Sequence, residues 1–301
     1  MSEEKDLKRV AQQIVILAPP ETVWRALTDP GALQVWLAEH AVLEPFVGGK
    51  FALWGEGTFG SEIPLESPGK VIRFDPPSTL GLEFSLMGTF ARASITILPA
   101  EHGSTVVAEY ILPNNTESTP WYLTQDHAIL FLYNLRSYAE TGRTCLQPGD
   151  PHDSGVAKVQ ITISASPADA FAAITISEIM DTWVSSKATV ELYPGGQYLY
   201  GWTETKPDGS VVPLGPAKVV AVEVDRLLTT SWQSSDEPPT QVEWLIDGEG
   251  EATTVRLTHS GFGQTDLVSG YVQGWGAFLC ILQAMLEGKT RVEDVPTAAT
   301  Q

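Results

Sequence analysis

The chain has 301 residues and a mass of 32.6 kDa, enough for two domains of ordinary size. Apolar residues make up 43% and the mean hydropathy is −0.01, a composition that supports a buried core and excludes global disorder. Asp and Glu number 37 against 18 Lys and Arg, giving a net charge of −19, and no basic cluster interrupts this excess, so nucleic acid is not an expected partner.

Cys145 and Cys280 are too few for a disulfide framework and share no metal-ligand spacing with histidine. The start, MSEEKDLKRV, is charged and has no apolar export region, and no later window holds 18 consecutive apolar residues. A cytoplasmic protein that does not enter a membrane is expected.

Taken in chain order, the sequence runs through the same plan twice. An alternating apolar run, Val10 to Leu17, leads to Pro20 at a predicted first helical turn. A second short helix reaches Trp36, and the turn EPFVGGKF follows at 44–51. Strand-like runs come next, clearest where Leu80, Leu82, Phe84 and Leu86 alternate with smaller or polar residues. A long helical pattern over about 120–140 closes the copy, with Gly142 at its C-cap position. The stretch LQPGDPHDSG, 146–155, breaks every period and reads as a connection.

The plan then restarts with Val159 to Ile163, Pro167, Trp183, the turn ELYPGGQY at 191–198, the strand bearing Leu228, Thr230 and Trp232, and a helix over about 265–287 before Gly288. A shift of 147 residues aligns 14–51 with 161–198 without a gap, and 11 of the 38 pairs are identical. About two or three identities are expected by chance at ordinary residue usage. The predicted organisation is therefore copy one at 1–147, a linker at 148–155, copy two at 156–288 and a fraying tail at 289–301.

The proline-led helix, the tryptophan ending the second helix, the (F/Y)-x-G-G-x-(F/Y) turn and the long last helix together resemble the START-like, or SRPBCC, superfamily. Within it the chain is most similar to the branch named after the activator of the heat-shock-protein-90 ATPase. The likeness is strongest in ELYPGGQY and in GWGAFLCILQAMLE, 274–287; copy one carries DHAILFLYNLRSYAE where the Gly-Trp pair would fall. The resemblance implies an α+β chain of two tandem helix-grip domains, each a curved antiparallel sheet wrapped around a long C-terminal helix, with a cavity between them.

Several aromatic and histidine residues fall on strands or helices that would face such a cavity. In copy two they are Tyr198, Tyr200 and Trp202, which share one strand face by a period of two, with Trp232, Trp244, His259, Trp275 and Phe278. In copy one they are Trp54, Phe84, His127 and Phe131, although Trp54 has the opposite parity to Trp202. Core filling explains such rings as well as ligand contact does. His127 reads either as a partly solvated residue near a helix start or as an acid, base or donor facing a ligand. His259 reads as a hydrogen-bonded core residue, and Glu44 and Glu191, matched across the copies, as solvated or backbone-capping acids.

No phosphate loop, dinucleotide fingerprint, zinc-protease motif or nucleophile elbow is present in the sequence, so neither a cofactor nor a metal is expected. The expected function is non-catalytic binding of a small hydrophobic or aromatic molecule. Two alternatives stand beside it: a cyclase, aromatase or hydrolase working through isolated acid-base groups in the same cavity, and a co-chaperone-like module with a chaperone partner.

Overall fold

The structure, a computed structural model, describes residues 7–55, 69–86, 88–113, 121–146, 155–206, 208–233, 238–263 and 268–295. The predicted linker falls almost entirely outside the described residues. The chain divides into two compact units, one made of residues 1–148 with 290–301 and the other of 149–289.

The first unit contains strand β1 (Leu7–Ile16), helices α1 (Pro20–Thr28) and α2 (Pro30–Trp36), strands β2 (His40–Leu43), β3 (Lys50–Trp54), β4 (Gly69–Asp75), β5 (Thr79–Leu86), β6 (Thr89–Ala100) and β7 (Gly103–Pro113), and helix α3 (Trp121–Thr141). Proline opens both short helices, where its missing N–H costs nothing, and the Asp29 carboxylate caps α2 by accepting from the Gly31 N–H at 2.8 Å. The strands are antiparallel and lie in the order β1-β7-β6-β5-β4-β3-β2. Among β1 to β7, β1 and β7 are the pair distant in sequence yet adjacent in space, so their pairing brings the seventh strand back to the first.

The second unit repeats this with β8 (Val156–Ile163), α4 (Pro167–Thr175), α5 (Ser177–Met180), β9 (Thr189–Val190), β10 (Tyr198–Leu199), β11 (Trp202–Thr205), β12 (Val211–Glu223), β13 (Leu227–Gln233), β14 (Thr240–Glu249), β15 (Ala252–Ser260) and α6 (Val268–Leu286). Its six-stranded sheet runs β11-β12-β13-β14-β15-β8, and β9 pairs with β10 separately. Gly201 separates β10 from β11; its φ is +75° and its backbone lies so close to the Ser186 carbonyl that no side chain fits.

The duplication extends to individual hydrogen bonds. Trp36 Nε1–H donates to the Ala26 carbonyl at 3.0 Å, and Trp183 Nε1–H to the Ala173 carbonyl at 2.9 Å. Ser104 donates to the Ala18 carbonyl and Thr253 to that of Ala165. In each glycine turn, the glutamate carboxylate accepts a backbone N–H across the loop: Glu44 from Lys50 at 2.7 Å and Glu191 from Gln197 at 2.8 Å. These matched acids close a turn. The first glycine has φ near +90° in both copies, and a Cβ on the second would lie 2.5 Å from the Glu44 carbonyl oxygen or 2.2 Å from that of Glu191.

The tail differs from its expected fraying. Strand β16 (Glu293–Asp294) pairs with Gln12 and Gln13 of β1, and the Val295 N–H donates to the Ala11 carbonyl. Arg136 of α3 reaches the Thr290 carbonyl, and the Tyr133 hydroxyl accepts the Val292 N–H at 3.2 Å. Backbone pairing, which needs no apolar period, holds this segment, so hydropathy alone could not announce it.

Gly49→Ala and Gly196→Ala are each expected to cost about 1–3 kcal/mol of stability, because the added methyl must displace backbone rather than a side-chain tip. Urea unfolding of the two variants checks this; Gly142→Ala, where a Cβ meets nothing within 4 Å and the strain is purely conformational, serves as the control.

Candidate functional site

In the second unit, aromatic rings converge from the sheet and the helix. Trp202 of β11 meets Trp232 of β13 edge to face at 6.0 Å between centroids and stacks on Phe278 of α6 at 5.6 Å, with planes 28° apart. Trp232 continues to Trp275 of α6 at 5.1 Å. Beyond them, Phe262 and Tyr271 lie 4.6 Å apart, and both face the His259 ring. Trp202, Trp232, Phe262, Tyr271 and Phe278 are each half-buried.

A second layer holds these rings in place. Tyr200 is buried and touches both Trp202 and Trp232. The Tyr198 hydroxyl donates to the Ile174 carbonyl at 2.6 Å, which leaves its oxygen to accept the proton of Tyr200. Burial raises both phenols well above their ordinary value. Trp244 is 0% exposed and packs edge-on against Trp275. Tyr198, Tyr200, Trp244 and Trp275, all expected among the ligand-facing rings, are therefore buried behind the others, and Tyr198 is tied through its hydroxyl to α4.

His259 joins the two layers. The indole N–H of Trp275 can only donate, so His259 Nδ1 accepts it, at 3.1 Å. The ring proton then resides on Nε2, which contacts Thr240 Oγ1 at 2.7 Å. Both nitrogens are occupied, as expected for a core histidine. Burial holds its pKa down at about 3, which keeps it neutral.

In the first unit, the residues singled out from the sequence divide into three places. Trp54 lies opposite His40 across β2 and β3, with centroids 5.3 Å apart. Phe84 packs against Phe51. His127 and Phe131 lie together on α3, where Phe131 meets Trp36 and His127 meets Tyr110 of β7 edge to face at 5.5 Å. His127 is 4% exposed, which overturns its reading as partly solvated, and burial lowers its pKa to about 4. Asp126, its neighbour, is raised by burial to about 7.

Sheet register places Tyr110 and His259 at the same point of the two units. Tyr110 pairs with Ala93 on one side and Val10 on the other; His259 pairs with Val242 and Ala157 in the same way. Phe262, Tyr271, Tyr110 and Thr124 were not singled out from the sequence. Tyr271 lies four residues before Trp275 and so shares its helical face, a signal that was available; Phe262 follows the last strand and had none.

Among the described residues, no group of three or more His, Cys, Asp or Glu side chains is placed to hold a metal ion. No helix of the described residues is long and apolar enough to cross a membrane.

Each unit is an antiparallel sheet gripped around a long terminal helix, the tandem helix-grip arrangement. The chain belongs to the family described as activator of Hsp90 ATPase homolog 1-like protein, whose profile matches residues 17–125 and 164–287, one match in each unit. Comparison with curated proteins finds no match. Among solved structures, it is similar to DynU16, from the dynemicin biosynthetic locus, at 18% identity and a TM-score of 0.40, over 94% of this chain and 98% of that one. CalU16 from Micromonospora echinospora matches at 21% identity and a TM-score of 0.37, over 44% of this chain and 75% of that one. The Aha1 dimer from Colwellia psychrerythraea matches at 21% and 0.35, over 45% and 98%.

The buried histidines fix the sign of one pH effect. An unfolded histidine takes up a proton near pH 6.5, whereas folded His259 takes one up only near pH 3, so its contribution to stability is complete above pH 6.5 and is lost as the pH falls from there. His127 acts in the same direction. Asp126 acts oppositely, stabilising at low pH and losing that contribution as pH rises through 7. His259→Gln is expected to flatten the fall in stability below pH 6 by about 1.4 kcal/mol per pH unit, measured by urea unfolding at a series of pH values. The imidazole resonances of His127 and His259 are expected to keep neutral-form shifts from pH 8 to pH 5.

Proposed function

We propose that the protein binds a small hydrophobic, aromatic molecule between sheet and terminal helix without transforming it, and that the ring cluster of the second unit is one seat. The observation that carries this reading is the half-buried state of Trp202 and Trp232 on the sheet and Tyr271 and Phe278 on the helix. Trp244 behind them is fully buried and differs from them in this. Half-buried rings held from behind form a rigid apolar surface onto which a flat molecule stacks at little entropic cost.

The chemistry of the same region favours binding over turnover. Both nitrogens of His259 are engaged by protein groups, Trp275 and Thr240, so neither is left facing a ligand. In the first unit, Asp126 is adjacent in sequence to His127, and consecutive helical residues point in different directions, so the two do not form an acid-base pair. The twofold presence of one module, together with the net charge of −19, supports a carrier of neutral rather than anionic molecules.

Calorimetric titration of the whole chain with a panel of tricyclic and tetracyclic aromatics and fatty acids is the test. Micromolar affinity is expected for the aromatics. Trp202→Ala and Trp232→Ala are each expected to weaken it about tenfold, the equivalent of about 1.4 kcal/mol. A panel without heat of binding, or tryptophan variants that bind as the parent does, would remove the ground for this reading.

A further inference from the structure

Two polar atoms on the inner face of α3 are buried without a hydrogen-bond partner among the described residues: Thr124 Oγ1 and His127 Nδ1. Thr124 is 1% exposed and His127 4%. At a spacing of three, they sit on the same helical face, which continues to Phe131. The contact of the His127 ring with Tyr110 turns that face toward the sheet.

The second unit shows what the same face looks like when it is satisfied. With the shift of 147 residues, Thr124 corresponds to Tyr271, His127 to Gly274, Ala128 to Trp275 and Phe131 to Phe278. There the helix indole donates to the sheet histidine, and both polar groups are used. Here the two large rings are replaced by threonine and alanine, and a histidine stands where the other helix has glycine. The face has lost aromatic bulk and gained two polar atoms with nothing to bond. An unsatisfied buried polar group is a net cost to the folded state, and two on one face add to that cost unless a bound group satisfies them.

We infer that the first unit has its own ligand site on this face, for a hydrophobic molecule that carries an alcohol or phenol hydroxyl. A hydroxyl is both donor and acceptor, so one such group can donate to the histidine nitrogen and accept from the threonine hydroxyl. The group it recognises is neutral. Arg136, the buried cation of the described residues, is already engaged with the Thr290 carbonyl and the Tyr133 ring, so a carboxylate or phosphate would be buried without a counter-charge. The site does not use the ring cluster of the second unit and stands or falls apart from it.

The test compares 2-naphthol with 2-methylnaphthalene, probes of similar size that differ in the hydroxyl, by calorimetry on the whole chain. The parent protein is expected to prefer 2-naphthol about tenfold. Thr124→Val and His127→Phe are each expected to bring the ratio near one while retaining the methyl probe. Removing an orphaned polar group is also expected to raise Tm by about 2–4 °C. A parent protein that binds neither probe or does not distinguish them overturns the inference, as does a preference unchanged in both variants. If Trp202→Ala and Trp232→Ala remove the hydroxyl preference while the α3 variants keep it, the inference fails and the aromatic seat of the second unit stands. If the α3 variants remove it and the tryptophan variants do not, the inference holds whatever becomes of that seat.

Discussion

In both units, a glutamate near the end of the long helix accepts the backbone N–H of the residue that follows the first strand. Glu140 takes that of Leu17 and Glu287 that of Ser164, each at 2.8 Å. The bond is charge-assisted and satisfies a donor that the sheet no longer serves. Its larger effect is geometric. A helix of about 20 residues spans roughly 30 Å, and pinning its C-terminal end to the end of the first strand decides where the rest of it crosses the sheet. The side chains that distinguish the units, Thr124 and His127 in one and Tyr271 and Trp275 in the other, lie on the N-terminal half, away from the pin. The scaffold is fixed at one end and varied at the other.

What varies is how one location between sheet and helix is balanced. In the second unit, the sheet supplies a histidine and the helix a tryptophan, and a donor meets an acceptor. In the first, the sheet supplies Tyr110 and the helix His127, and the two rings meet edge to face while the histidine nitrogen remains unmatched. The same backbone thus holds one closed polar account and one open one. This asymmetry leaves the fold intact, because the bonds that define it are elsewhere, in the glycine turn and the tryptophan-to-carbonyl ties.

The architecture was legible in the sequence because its determinants are local. Proline at a first turn, a glycine pair and a tryptophan at constant spacing each dictate a small piece of backbone, and their repetition reveals the copies. The period of two along Tyr198, Tyr200 and Trp202 predicted a shared face, and the rings do touch, although the strand breaks at Gly201. The site was less legible. Whether a ring lines a wall or backs it depends on neighbours from other strands, which is why Trp244 and Trp232 look alike in sequence and differ in exposure. The pairing of Tyr110 with His127 requires the register of β7 against its neighbours, and no pattern within either segment encodes that.

The return of residues 290–295 to the first sheet bears on how this protein can be taken apart. Strand β1 is otherwise an edge, and an unprotected edge offers its backbone to any extended chain nearby. A fragment that stops at the connection between the copies would expose that edge and invite self-association. Grafting residues 290–295 back onto such a fragment by a short linker would cover that edge again, because the first sheet is assembled from two separate stretches of the chain.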